Sequence, residues 1–388
     1  MEQRYLTKEH LSGFEHYKYS ARDTSPLSIY IMHPFWNTVV KLCPMWVAPN
    51  ILTFVGFLFT VLNFLIFSWY DYSFYASSSD HPEAAPIARW VWGLAAVNLF
   101  LAYTLDGIDG KQARRTQTSG PLGELFDHGL DSWTTVLIAT CMYSAFGRTD
   151  FSISPLRMYF CFWNIFINFF ISHWEKYNTG VLFLPWGYDA SMLATMLTFI
   201  VTYINGTEMW NFYIFGTYSC GNMFELTFYV CAFLSNLPFA IWNIHTSYKD
   251  RTGKMRTPME AMRPLVPMTL FFLLCTLWVC LSPTNIIEVD PRCVYFMTGT
   301  VFSNICCRLI VSQMSNTRCE VLHWILGPLA VIIAVVLLVP GAEKVELLCM
   351  YGVTIVSILT HIHYGTRVVQ EMCEHFKIYC FHIKPHGE

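Results

Sequence analysis

Ten long apolar stretches recur along this chain, and no other feature restricts its fold as tightly. They lie at about residues 50–70, 88–105, 120–146, 155–173, 188–204, 223–246, 263–282, 293–314, 321–340 and 345–368. A bilayer's hydrocarbon core takes about 20 residues of helix to cross. No water is there to bind backbone amides and carbonyls, so such segments must be helical. The chain is therefore read as an all-α polytopic membrane protein with about ten transmembrane helices. Composition agrees, with 54% hydrophobic and only 13% charged residues, against about 25% charged in a soluble domain.

Charge placement orients the chain. With an even number of crossings both termini share one side. That side then holds Arg4, Lys8, Lys18, Arg22, Lys41, Lys111, Arg114, Arg115, Lys176, the basic residues from Lys249 to Arg263, Arg318, Arg367, Lys377 and Lys384. The other side has only Arg89, Arg148, Arg157, Arg292 and Lys344. The positive-inside rule puts both termini in the cytosol. The net charge of -3 offers no basic excess for nucleic acid.

Residues 1–49 lack the apolar core of a signal peptide, so insertion is expected to use the first internal span. Within them, 28–49 is too polar to cross. Its Phe35, Trp36, Val39, Val40, Leu42, Trp46 and Val47 predict an amphipathic helix in the cytosolic interface; the alternative is a soluble cap on the first helix. The organisation expected is a cytosolic segment 1–49 with this interfacial helix, a transmembrane domain 50–370 and a cytosolic tail 371–388. The 14 cysteines form no C-x-x-C pair; Cys220 and Cys293 fall in predicted loops on one side, where a disulfide is conceivable. Asn205-Gly206-Thr207 is a glycosylation sequon at the membrane edge.

The second apolar stretch ends in Asp106, and DGIDGKQARRTQTSGPLGELFDHGLDS follows. Carboxylates at the edge of a membrane carry a desolvation cost unless they are paired or bind a cation. Asp106 and Asp109 are spaced i,i+3, and Asp127 and Asp131 i,i+4, so each pair shares one helix face. A turn at Ser119, Gly120 and Pro121 makes the two helices antiparallel and lets the four acids converge. Oxygen-only ligands select hard ions, Mg²⁺ or Mn²⁺, and two ions on four carboxylates suit phosphoryl displacement. Gly107, Gly110, Ala113, Gly123 and Gly129 leave room for close approach, and Arg114 and Arg115 offer planar forks for phosphate.

The run D106-x2-D109-G110-x2-A113-R114-x8-G123-x3-D127-x3-D131 resembles the signature of the CDP-alcohol phosphotransferase family at every fixed position. The resemblance implies a helical bundle with a cytosol-facing pocket. It implies a reaction that joins a CDP-alcohol to an alcohol acceptor and releases CMP. Asp106, Asp109, Asp127 and Asp131 would then hold two divalent ions, and Gly110, Ala113, Arg114 and Gly123 would face the CDP group. The stretches HPFWNTVVKLCPMWVAPNILTF, DGKQARRTQTSGPLGELFDHGLDS, ISHWEKYNTGVLFLPWGYD and HIHYGTRVV resemble the ethanolamine enzymes of this family's eukaryotic branch, which implies CDP-ethanolamine and diacylglycerol as substrates, a homodimer, and residence in the endoplasmic reticulum or Golgi. Choline as a second or preferred head group stays open. A cation transporter is the reading from another class, and its acids would be expected near mid-membrane on broken helices.

His128 follows Asp127, and Glu124 lies four residues earlier. A carboxylate that orients an imidazole would make His128 a general base for the acceptor hydroxyl; Asp131 is the rival base. Asn50, at the start of the first span, is placed either to read the nucleotide or to cap the helix. Glu175 and Trp174 are candidates for an ammonium head group, Trp174 equally for an interfacial anchor. His361, His363, Tyr364 and Arg367 are expected at one depth as a pocket wall.

Overall fold

The structure is a computed structural model describing residues 4–78, 80–184 and 186–383. Its helices, in chain order, are α1 Lys8–Glu15, α2 His33–Val39, α3 Pro49–Tyr70, α4 Arg89–Arg115 and α5 Pro121–Phe146. Next come α6 Pro155–Thr179, α7 Trp186–Asn205, α8 Cys220–Ser235, α9 Leu237–Lys249 and α10 Pro258–Met262. Last are α11 Leu265–Leu281, α12 Ile286–Val289, α13 Pro291–Ser315, α14 Leu326–Leu338 and α15 Glu346–Phe376. Two short strand pairs complete it. β1 (Ala21–Asp23) is parallel to β2 (Leu182–Leu184), and β3 (Tyr213–Ile214) is antiparallel to β4 (Tyr218–Ser219).

The boundaries follow from local chemistry. Pro49, Pro121, Pro155 and Pro291 open their helices where a missing N–H costs nothing. The Asp290 carboxylate caps α13 by accepting from the Cys293 amide at 2.9 Å. Gly180, at φ +82°, ends α6 in the left-handed region and sends the chain into β2.

Helix occupies each of the ten predicted stretches, and the all-α polytopic class stands. Length and hydropathy by themselves qualify seven segments as crossings, not ten. Leu326–Leu338 is apolar but short. α5 and α6 have 26 and 25 residues but carry polar groups turned inward, which never meet lipid and so escape the need to be apolar. α13, by contrast, qualifies as a crossing although nearly all of it is buried, Thr298, Ser303, Asn304 and Gln313 included. α5, α6 and α15 pack around α13, while α3 packs on α4 and α5, and α4 on α7. Cys220 and Cys293 are free thiols, not a disulfide; Cys293 Sγ lies 3.3 Å from Thr354 Oγ1.

The interfacial segment is helical from Ser28 through Leu42, with a π turn ahead of α2 and a 3-10 turn after it. Met32, Trp36 and Val40, four residues apart, are buried, and Tyr30, Ile31, Leu42 and Trp46 are exposed. Trp36 lies against Gly107, where an added Cβ would stand 2.1 Å from the indole. This glycine is therefore what lets α2 seat on α4.

The first and last described segments pack onto the bundle. Gly13 of α1 sits on the Ser315 carbonyl at the end of α13, and the Tyr5 and Leu6 amides each donate to the Glu371 carboxylate at 2.9 Å. α15 continues through Phe376, beyond the boundary expected at residue 370. The chain then turns back, so that Asn50 Nδ2 donates to the Cys380 carbonyl at 3.0 Å and Phe381 packs on Phe54 and Phe126.

Candidate active site

α4 and α5 bring the acidic pairs together at one end of the bundle. Carboxylate oxygens of Asp106, Asp109 and Asp127 all lie within 4.8 Å of one another, and so do ligand atoms of Asp127, His128 and Asp131. Asp127 belongs to both groups. Such density of negative charge is untenable without cations or protons. The donor set suits a hard divalent ion, and a further observation fits one: Asp127 Oδ1 is buried and has no hydrogen-bond partner among the described residues.

Neighbouring helices orient these acids. Thr53 Oγ1 of α3 donates to Asp109 Oδ2 at 2.5 Å, and Tyr188 of α7 donates to Asp106 Oδ2 at 3.1 Å. Partners of this kind fix a ligating carboxylate and tune its affinity. Thr53 left a faint sequence signal, standing three residues after Asn50 on the same face. Tyr188 left none.

His128 faces the acids and also α6. Its Nδ1 is 3.9 Å from both Asp127 Oδ2 and Asp131 Oδ2. Its Nε2 is buried without a hydrogen-bond partner among the described residues. Its ring meets that of His173 edge-on at 5.4 Å, and His173 Nδ1 in turn lies 3.1 Å from the Gln313 amide nitrogen.

Glu124 does not reach His128 as expected. It is engaged on both oxygens by other groups: Lys176 Nζ of α6 pairs with Oε1, and the Tyr17 hydroxyl donates to Oε2. Lys176 also donates to the Tyr17 oxygen at 2.8 Å, which closes a three-membered network. The Lys176 and Glu124 side chains are only 2% and 3% exposed. A pair this dry stands only if each charge is fully satisfied, and Tyr17 supplies the remaining bond. Burial, followed by the charge of Glu124, pushes the Tyr17 hydroxyl far above its usual range, so it remains a donor.

The remaining candidates divide. Gly123 faces Asn50, whose Oδ1 would be 3.7 Å from a Cβ added there. Asn50 is no cap, since Ala48 takes that position for α3; its Oδ1 faces Gly123 and its Nδ2 the Cys380 carbonyl. Gly110, Ala113 and Arg114 share a face of α4, and the exposed Arg114 brings a guanidinium nitrogen to 3.8 Å from a Cβ placed on Gly110. Arg115 is not available for phosphate as expected. It donates to the carbonyls of Val40 and Cys43 and to Gln112, pinning the interfacial segment.

Glu175 points away from the acids, taking Asn243 Nδ2 of α9 at 2.7 Å. Side chains two apart on a helix do not share a face, so His173 can face His128 only if Glu175 does not. Trp174 is buried and donates to the Ala261 carbonyl at 2.7 Å. The expected wall on α15 also separates. His361 is buried against Trp133 and Ser303, whereas His363 turns outward to the Tyr5 hydroxyl at 2.9 Å.

Convergent carboxylates, a neighbouring imidazole and an exposed guanidinium are a set of groups suited to phosphoryl transfer. Comparison with known sequences agrees. A sequence model described as CDP-alcohol phosphatidyltransferase matches residues 46–220, from just before α3 to the start of α8. Together with full-length relatives this is decisive: the chain is a membrane enzyme that belongs to the CDP-alcohol phosphatidyltransferase family. It is 48% identical to ethanolaminephosphotransferase 1 of Mus musculus over 385 residues, covering 99% of this chain and 96% of that protein. The Homo sapiens ethanolaminephosphotransferase 1 matches at the same identity and coverage. Choline/ethanolaminephosphotransferase 1 of Arabidopsis thaliana is 31% identical over 399 residues, 98% of each chain.

Proposed function

We propose that this enzyme transfers phosphoethanolamine from CDP-ethanolamine to the free hydroxyl of diacylglycerol or an alkyl-acylglycerol, yielding phosphatidylethanolamine and CMP. The observation that carries the chemistry is the convergence of Asp106, Asp109, Asp127 and Asp131 beside His128. The head group rests on the higher identity to the ethanolamine enzymes, 48% against 31% for the dual-named plant protein.

In this reading the acceptor oxygen attacks the phosphorus that bears ethanolamine. The bond from that phosphorus to the CMP oxygen breaks, and the acceptor proton passes to His128. Mg²⁺ or Mn²⁺, two ions on the four aspartates, would offset the phosphate charge and hold the attacking and leaving oxygens in line. Thr53 and Tyr188 keep Asp109 and Asp106 aimed at that position. Arg114 at the mouth steers the diphosphate. With Arg115 committed to the interfacial segment, one guanidinium does this work where two were expected. The charge asymmetry along the chain supports a cytosolic site, reached by the soluble donor from water and by the lipid acceptor from the bilayer. Residence in the endoplasmic reticulum or Golgi and assembly as a homodimer rest on the family resemblance.

Side-by-side turnover of purified protein with CDP-ethanolamine and CDP-choline tests the head group. The expected result is a kcat/KM at least about tenfold higher for CDP-ethanolamine, a difference of about 1.4 kcal/mol in transition-state binding. Equal or reversed values would make this a choline or dual-donor enzyme.

A further inference from the structure

The segment from Tyr17 to Asp23 runs beside the carboxylate site, meeting Glu124 one turn before Asp127, and is held at both ends. At one end Tyr17 is locked into the buried Glu124–Lys176 pair. At the other, the Leu182 amide donates to the Ser20 carbonyl at 2.9 Å, β1 pairs with β2, and Asp23 bonds His33 at 3.0 Å. Between these anchors stands Tyr19. Its side chain is 54% exposed. The Lys176 ammonium lies 5.2 Å from its ring centroid, and Asp109, Asp127 and Arg114 are close enough to act on its hydroxyl. An aromatic anchor at a membrane surface would look onto lipid. This ring instead lies within electrostatic reach of Asp109, Asp127 and Arg114.

A ring immobilised by its backbone on both sides, and left half exposed beside charged groups, has paid its ordering cost in advance. What such a ring offers is a flat face for another ring, and a nucleobase stacks on it irrespective of hydrogen-bond pattern. Taking the CDP-linked donor of the proposed reaction as given, we infer that Tyr19 is the stacking platform for the cytosine ring, and that the N-terminal segment forms one wall of the donor pocket. Tyr17 acts as the positioning residue that fixes this wall, and Lys176 and Glu124 form its footing. Glu124 thus serves the donor pocket and leaves His128 to be oriented from the α6 side.

Tyr19→Ala and Tyr19→Phe, made in the full chain with Mg²⁺ or Mn²⁺ present, test this. Two quantities are read: KM for CDP-ethanolamine, and the dissociation constant of CMP by calorimetry, which needs no turnover. Losing a base–aromatic stack should raise both by about 5- to 150-fold in Tyr19→Ala, with KM for diacylglycerol unchanged. Tyr19→Phe keeps the face and should stay close to wild type. The inference is overturned if Tyr19→Ala leaves both donor constants unchanged, or if Tyr19→Phe is as impaired as Tyr19→Ala. Because Tyr19 is exposed, a folding defect is not expected, and an unchanged diacylglycerol KM checks it. Failure of the reaction itself looks different: wild-type protein would bind CMP in a Tyr19-dependent way yet release none from CDP-ethanolamine.

Discussion

Asp127→Asn is expected to abolish CMP release while leaving the protein folded. Asp127 is the one acid common to both ligand groups, and its Oδ1 is buried with no hydrogen-bond partner among the described residues. Asparagine keeps the shape and one oxygen but removes the charge, so neither group can hold a divalent ion as before. Removing a single preorganised electrostatic contributor costs about 10²–10³-fold in kcat, and here one change weakens two ligand sets. Phosphatidylethanolamine formation from labelled CDP-ethanolamine, beside a thermal melt of the detergent-solubilised protein, checks both halves. The absence of a folding penalty follows from the site: removing one of several crowded negative charges relieves repulsion. An active variant would show that the convergence is structural.

The second large effect concerns the base. His128→Gln should lower kcat by about 10²–10⁴-fold, the usual contribution of a positioned general base, with KM for the donor little changed. The geometry favours His128 over Asp131 because its Nε2 is buried without a hydrogen-bond partner among the described residues, while Nδ1 stands 3.9 Å from Asp127 and Asp131. An imidazole held that way can take a proton on Nε2 without giving up an existing bond. Asp131 shares the second ligand group with His128, and of the two the carboxylate is the harder ligand and so the one expected to be committed to a divalent ion. If His128→Gln keeps its rate within about tenfold, below the range of a general base, the proton goes elsewhere, and Asp131 becomes the candidate.

The parts of this molecule that sequence exposes are those set by solvent and by helical period. Apolar stretches had to become helices because lipid leaves backbone groups no other partner, and helix occupies all ten. Spacings of three and four residues had to put Asp106 with Asp109 and Asp127 with Asp131, and the structure brings these acids together. The count of crossings was harder to read, because α5 and α6 hide their polar residues against α13 and so do not resemble lipid-facing helices. The partners of individual charges were hidden for a related reason. Local spacing suggested Glu124 with His128, but a buried carboxylate is claimed by the nearest group that can neutralise it. That group is Lys176, 52 positions along the chain, with Tyr17 107 positions back. Arg115 likewise went to backbone carbonyls of the interfacial segment, and Glu175 to Asn243. Nothing within one helix turn records such long-range pairings. The packing of the segments near both ends onto the bundle is of the same kind: the Tyr5 and Leu6 amides find Glu371, and Cys380 finds Asn50, only once the bundle exists.

The central claim is that four aspartates and the ions they bind join a CDP-alcohol to a lipid hydroxyl. It is tested most directly by following CMP and phosphatidylethanolamine together, from CDP-ethanolamine and diacylglycerol, with purified protein in lipid nanodiscs before and after chelation. The account predicts one CMP per phosphatidylethanolamine, turnover that stops on chelation, and recovery when Mg²⁺ or Mn²⁺ is returned. Turnover that persists without divalent ions, or no CMP at any metal concentration, would contradict it.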